Sequence, residues 1–137
     1  MPIFQEKTCI EQLERLSDDN YFLSLRCEQI ASAAMPGQFV MIGVGAGNDP
    51  LLRRPFSINQ VDNEGLVRIL FKVVGKGTQI LAQSTIGDSI PVLGPLGNGF
   101  SIDLEKPACL VGGGMGIAPM LFLAEQLSRL KKGYKHD

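Results

Sequence analysis

Over the first hundred residues, hydrophobic positions recur at every second residue or in short runs, which is the period of β-strands. Residues 7–16 predict a strand that turns at Asp18-Asp19-Asn20. Tyr21, Leu23, Leu25 and Cys27 then alternate with Ser24, Arg26 and Glu28, a half-buried strand with Phe22 as its exception. Met35-Pro36-Gly37 signals a turn into the short apolar strand Gln38 to Ile42, and Gly43 to Pro50 reads as a loop. A strand from about Arg54 to Val61 follows. Asp62-Asn63-Glu64-Gly65 then turns the chain into the β-branched run Leu66 to Val74, expected to be a central strand. Gly75-Lys76-Gly77-Thr78 leads into a short helix over Gln79–Gln83, with Thr78 in the N-cap role. Ser89 to Leu93 is one more strand. Gly94-Pro95-Leu96-Gly97-Asn98-Gly99 reads as a linker or a ligand-facing loop. Short strands at regular spacing, with one helix between the last two, predict a small closed Greek-key barrel.

The pattern changes at Pro107. Ala108-Cys109-Leu110-Val111 has the composition of a buried strand, and Gly112, Gly113, Gly114 and Gly116 make a glycine turn after it. Met120, Leu123, Ala124, Leu127 and Leu130 then fall at helical spacing, with Pro119 in the first turn and Lys131-Lys132-Gly133 at the end. Strand, glycine turn and helix open a doubly wound nucleotide-binding domain. The dinucleotide fingerprint is imperfect, because Ile117 stands where its third glycine would be. A glycine-rich turn without a ligand is the alternative. One βα unit cannot cover both faces of its strand. The expectation is therefore a piece of a longer chain, or a unit completed by a partner chain. Residues 107–137 alone do not build a full nicotinamide site. The domain boundaries expected are 1–100 for the barrel and 101–137 for the incomplete start of an α/β domain.

Composition narrows the function classes. Of 137 residues, 45% are hydrophobic and 20% charged, an ordinary globular balance. The net charge of −1, without a basic block, argues against nucleic-acid binding. No apolar run reaches membrane-span length, and the first residues lack the basic start and apolar core of a signal peptide. The three cysteines, Cys9, Cys27 and Cys109, are far apart and without metal-ligand spacing. They read as buried, reduced thiols of a cytoplasmic protein. His136, the single histidine, is expected to be solvated.

Candidate chemistry concentrates at Arg53-Arg54-Pro55-Phe56-Ser57. Strand alternation puts Arg54, Phe56 and Ile58 on one side and Pro55 and Ser57 on the other. Proline cannot donate to a ladder, so this is an edge, a bulge or a strand start. A guanidinium fork suits a phosphate, and a nearby hydroxyl can reach a heteroatom of a flat ring. A strand edge guarded by charges is the other reading. Gly75 and Gly77 let the backbone approach a ligand closely, and helix-start amides attract anions.

Taken together, Pro36-Gly37-Gln38-Phe39, Arg54-Pro55-Phe56-Ser57, Gly75-Lys76-Gly77-Thr78, Gly87-Asp88-Ser89-Ile90, Gly94 to Phe100 and Gly112 to Pro119 resemble the ferredoxin-reductase-like flavoproteins. Within these the chain is most similar to the electron-transfer subunits of two-subunit, NAD-dependent dihydroorotate dehydrogenases. The resemblance implies a mainly β fold: a six-stranded antiparallel Greek-key barrel that binds FAD, then the first βα unit of an α/β domain that receives NAD(H). It implies that Arg54 grips the pyrophosphate, Ser57 bonds near the reactive edge of the isoalloxazine, and Pro55 and Phe56 shape the wall. Leu70, Phe71 and Lys72 would line the FAD, and Gly77 and Thr78 would give the phosphates amides and a hydroxyl. Lys72 and Arg53 are otherwise expected to be structural or surface charges. The family relays electrons from dihydroorotate, through FMN and a 2Fe–2S cluster in a heterotetramer with the catalytic subunit, to FAD and then NAD. Three scattered cysteines cannot hold such a cluster, which needs four suitably spaced ligands. It is implied for a full-length homologue only. A related diaphorase or ferredoxin–NADP reductase subunit, or a flavin-binding fragment without turnover, are the rival expectations.

Overall fold

The computed structural model describes residues 2–44 and 52–133. Its strands are β1 (Phe4–Arg15), β2 (Asn20–Arg26), β3 (Phe39–Val44), β4 (Leu52–Val61), β5 (Leu66–Lys72) and β6 (Ser89–Leu96). They close in the order β1-β2-β5-β4-β3-β6, and every described pair is antiparallel. Closure gives each strand a partner on both flanks along at least part of its length. Ile10, Leu23, Leu25, Val40, Ile42, Ile58, Val67, Ile69 and Val92 turn inward and are fully or nearly fully buried. They are the alternate positions that the sequence marks as apolar.

Two short helices close the barrel ends. Helix α1 (Glu28–Ala33) follows β2 and buries Ile30; α2 (Lys76–Ala82) follows β5 and buries Leu81. Because β2 and β5 are antiparallel, the helices leave from opposite ends. Helix α1 is not foreseen by the pattern: its six residues are too few to show a helical period. Thr78 is buried at the third position of α2, not at its N-cap, which is Gly75. Its hydroxyl accepts from the Val74 and Gly75 amides (2.8 and 3.2 Å) and donates to the Gly75 carbonyl (3.1 Å).

Several expected boundaries move. Gly43 and Val44 extend β3 rather than open a loop, and Gly94, Pro95 and Leu96 continue β6. Gly94 is needed there, since a Cβ would sit 2.8 Å from Val40 Cγ1. The motif that follows packs on the one after α1. Phe100 N–H donates to Pro36 O (2.8 Å), and a Cβ on Gly37, whose φ is +97°, would meet Phe100 N at 2.9 Å. Gln38, 1% exposed, clasps the two: its Oε1 accepts from Met35 N–H (2.8 Å) and its Nε2 donates to Gly97 O (2.9 Å).

Beyond the barrel, a 3₁₀ turn (Gly114–Ile117) leads to α3 (Met120–Gly133). The expected helix forms, but residues 108–111 form no strand. Cys109 is exposed and Val111 is 82% exposed, because among the described residues no strand lies beside them to accept their ladder bonds. Helix α3 lies along β4. Phe122 packs into the barrel's core cluster, Leu123 is also buried, and Gln60 Nε2 donates to Glu125 Oε1 at 2.6 Å. Of the predicted stripe, Met120, Leu127 and Leu130 are half-buried and Ala124 is exposed. The cysteine expectation is also corrected: Cys27 is buried, whereas Cys9 and Cys109 are exposed. His136 and the 45–50 part of the predicted loop lie outside the described residues.

Candidate functional site

The site begins where two barrel strands part. The first six residues of β4 pair with the whole of β3, from Leu52–Val44 to Ser57–Phe39. Against β5 it pairs only at Val61–Val67, Gln60–Arg68 and Ile58–Ile69. Residues 70–72 pair with β2 instead, as Leu70–Phe22, Phe71–Tyr21 and Lys72–Asn20. Residues 54–57 and 70–72 therefore face each other across a gap at the α2 end of the barrel. Pro55, which has no N–H to give, falls in the part of β4 without a β5 partner.

That gap is a cleft of about 320 Å³ lined by Arg54, Pro55, Phe56, Ser57, Leu70, Phe71, Lys72 and Thr78, with Val74, Met115 and Ala118. It brings together eight of the nine residues that the sequence assigns to a cofactor. The ninth, Gly77, stands directly behind Arg54: a Cβ there would lie 3.2 Å from Arg54 Nε and 3.3 Å from its Cγ. Among the described residues no carboxylate pairs with Arg54, whose Nη1 reaches only the Arg53 carbonyl, at 3.4 Å. Arg53 lines a separate small hollow with Gln5, Met41 and Pro91, so the neighbouring cations serve different places. Lys72 is partly occupied by Asp19, 3.7 Å away.

Aromatic rings floor the cleft. Phe56 meets Phe71 edge-on at 5.9 Å, and Phe71 stacks on Tyr21 at 5.4 Å. The row leads into an apolar cavity of about 380 Å³ lined by Leu16, Tyr21, Leu70, Phe71, Gly114 and Met115 among others. Met115 borders both spaces. Gly114 thus reaches the adjoining cavity, whereas Gly112, Gly113 and Gly116 line neither. A buried residue that the sequence does not single out also matters here: Asn59 Nδ2 donates to Ala118 O at 2.6 Å, tying β4 to the segment beside the glycine turn. Asn59 carries no local sequence signal, since only the fold brings residue 118 to it.

A wider groove, about 660 Å³, lies at the other end between α1, the β4–β5 turn and α3. Glu28, Asp62 and Glu64 are in its walls with Arg129, the wrong balance of charge for a phosphate. Asp62 is fastened to that turn. Burial pushes its carboxyl up, but the Leu66 and Glu64 amides and the Arg68 guanidinium (2.9 Å) outweigh this and hold it below the usual carboxylate range. Cys27 is pushed up to about 12, by burial first and by the Glu6 carboxylate second, which makes it an inert thiol. Among the described residues no group of three or more His, Cys, Asp or Glu side chains has a metal-holding arrangement.

A closed six-stranded antiparallel barrel followed by a helix is the fold of ferredoxin-reductase-like FAD-binding domains. The match to the oxidoreductase FAD-binding domain family covers residues 7–100, and the chain belongs to that family. It is 43% identical over 118 residues to the electron transfer subunit of dihydroorotate dehydrogenase B (NAD(+)) of Desulforamulus reducens, covering 85% of this chain and 45% of that one. It is 41% identical over 137 residues to the subunit of the same name from Geobacillus kaustophilus, covering 97% and 52%. The chain thus spans about half the length of the curated relatives it matches. Among solved structures, an NADH-dependent reduced ferredoxin-NADP oxidoreductase superposes with a TM-score of 0.81 at 34% identity, over 89% of this chain and 44% of the other.

Proposed function

We propose that this chain holds FAD in the cleft between β4 and β5 and serves in the electron-transfer subunit of an NAD-dependent dihydroorotate dehydrogenase. The observation that carries the reading is the parting of β4 from β5 beyond Ile58–Ile69, which gathers Arg54, Ser57, Leu70–Lys72 and Thr78 around one space. The residues fit the cofactor. Arg54, which has no carboxylate partner among the described residues, offers its fork to a diphosphate, with charge-assisted bonds of ~1.5–3 kcal/mol each. Gly77 leaves the room for that guanidinium that a side chain would take. Thr78 gives its hydroxyl to the turn itself, so this corner presents backbone to a phosphate rather than that hydroxyl. Ser57, Pro55 and Phe56 form the wall for the ring, and Phe71 excludes water from beneath it.

FAD, when bound, supplies two-electron and one-electron chemistry; the protein supplies position and electrostatics. No side chain of the cleft is needed as a general acid or base. On this reading residues 101–137 begin a nucleotide domain, and the glycine turn Gly112–Gly116 would help to receive NAD once the rest of that domain is present. The partner is the catalytic subunit, in a cytoplasmic heterotetramer, and a 2Fe–2S cluster is assigned to a full-length homologue and not to this chain. The names of the curated relatives support this assignment. Likeness to the ferredoxin-NADP oxidoreductase favours a second reading, in which the electron partner is another redox protein.

Native mass spectrometry with a visible spectrum of the purified protein tests the proposal. One FAD per chain is the expected result; no uptake of FAD at micromolar concentration would overturn it. Electron exchange with a dihydroorotate-oxidising subunit, compared with reduced ferredoxin, separates the two readings.

A further inference from the structure

Asn59 sits at the point where β4 leaves β5. The ladder steps from Ile58–Ile69 to Gln60–Arg68, so two steps on β4 match one on β5 and Asn59 is the extra residue of a β-bulge. Bulges release a side chain from the ladder and re-aim it, often beside a functional site. Here the released carboxamide is 4% exposed and donates to the Ala118 carbonyl at 2.6 Å. Ala118 is itself 3% exposed, and its N–H donates to Met115 O at 3.1 Å. One short chain of bonds thus runs from the cleft strand, through Ala118, to the residue that borders both the polar cleft and the apolar cavity beside it. Gln60 fastens α3 one residue further on.

We infer that Asn59 is a positioning residue that holds the glycine turn across the mouth of the cleft, so that Met115 divides the Arg54–Ser57 chamber from the Tyr21–Leu16 chamber. This goes beyond the FAD reading but rests on it for its consequence: the divider sets which part of the flavin is shielded. Without the bond, a buried carbonyl loses its donor and the 114–118 segment swings free while Arg54, Ser57 and Gly77 stay in place. A buried acceptor left alone is costly, so the segment would open rather than keep its position.

The test uses Asn59→Asp, which keeps the shape but replaces the donor with an ionised acceptor. Met115 oxidation by hydrogen peroxide is read by peptide mass spectrometry, with Met35, 45% exposed on another part of the barrel, as internal reference. Met115 is already 38% exposed in the folded protein, so without FAD present the Met115-to-Met35 ratio should rise about twofold, as for a local opening that spares the rest of the fold. With FAD, the visible bands should shift while the dissociation constant stays within about threefold, because the anchors are untouched. An unchanged ratio, or an equal rise at both methionines, would overturn the inference. The unaltered protein gives an independent reading, whether or not the variant folds. The Asn59 carboxamide protons should exchange at least about tenfold more slowly than those of exposed Asn63, and equal rates would overturn it. Failure of the unaltered protein to bind FAD would sink the cofactor assignment and leave this result standing.

Discussion

The space that would hold a Cβ of Gly77 is filled by Arg54, whose Nε lies 3.2 Å from that position. Two motifs more than twenty residues apart in the chain thus form one corner. Gly77→Ala separates its two roles. Alanine inside α2 should stabilise the protein without FAD by about 0.5–1 kcal/mol, through helix propensity. Crowding of Arg54 should weaken FAD binding by about three- to tenfold. Thermal melting without FAD, paired with a fluorescence titration, reads both signs. A loss of stability together with unchanged affinity would contradict the arrangement.

Gln38 is a structural clasp and not a ligand group. Gln38→Leu removes both partners' bonds at once and strands the Met35 amide and the Gly97 carbonyl. A loss of about 2 kcal/mol is expected, or roughly 6 °C in melting temperature. The affinity for FAD measured at 20 °C should change by less than about twofold.

Asp62 makes the far turn acid-sensitive. Its carboxyl is held below the usual range in the folded state, so its contribution is present above the unfolded pKa of about 3.9 and fades as pH falls through the lower, folded value. Asp62→Asn should therefore melt below the unaltered protein at pH 7, and the two curves should converge below about pH 4. A constant difference across that window would contradict the assignment.

Thiol reactivity should follow burial. Cys9 and Cys109 are exposed, and Cys27 is buried with its thiol pushed up to about 12. A chromogenic disulfide at pH 8 should titrate two thiols quickly and the third only on unfolding. Fast reaction of all three would show that the barrel end near Cys27 is open.

Strand alternation made the barrel legible. Leu23 and Leu25, Phe56 and Ile58, and Val67 and Ile69 turn inward where their spacing says they should. The Arg54–Ser57 stretch announced itself through its mixture of proline, cation and hydroxyl in a strand. Features set by contacts between distant residues were hidden. Gly94-Pro95-Leu96 looks like loop, yet the barrel seam draws it into β6. Residues 108–111 look like strand, yet without a neighbouring ladder they stay exposed and irregular. Helix α1 was too short to show a period. Phe122 fell outside the predicted stripe of α3, yet it is 2% exposed and joins the barrel's core cluster. Gln38 and Asn59 look like ordinary polar residues until the fold supplies their buried partners.

The central claim is that Arg54, and not its neighbour, grips the diphosphate of a flavin nucleotide. Dissociation constants for FAD of Arg54→Ala and Arg53→Ala, measured side by side by fluorescence titration, test it most directly. Loss of charge-assisted bonds worth ~1.5–3 kcal/mol should weaken the Arg54 variant by about ten- to a hundredfold, while the Arg53 variant stays within about threefold of the unaltered protein. Equal effects of the two substitutions would contradict the account.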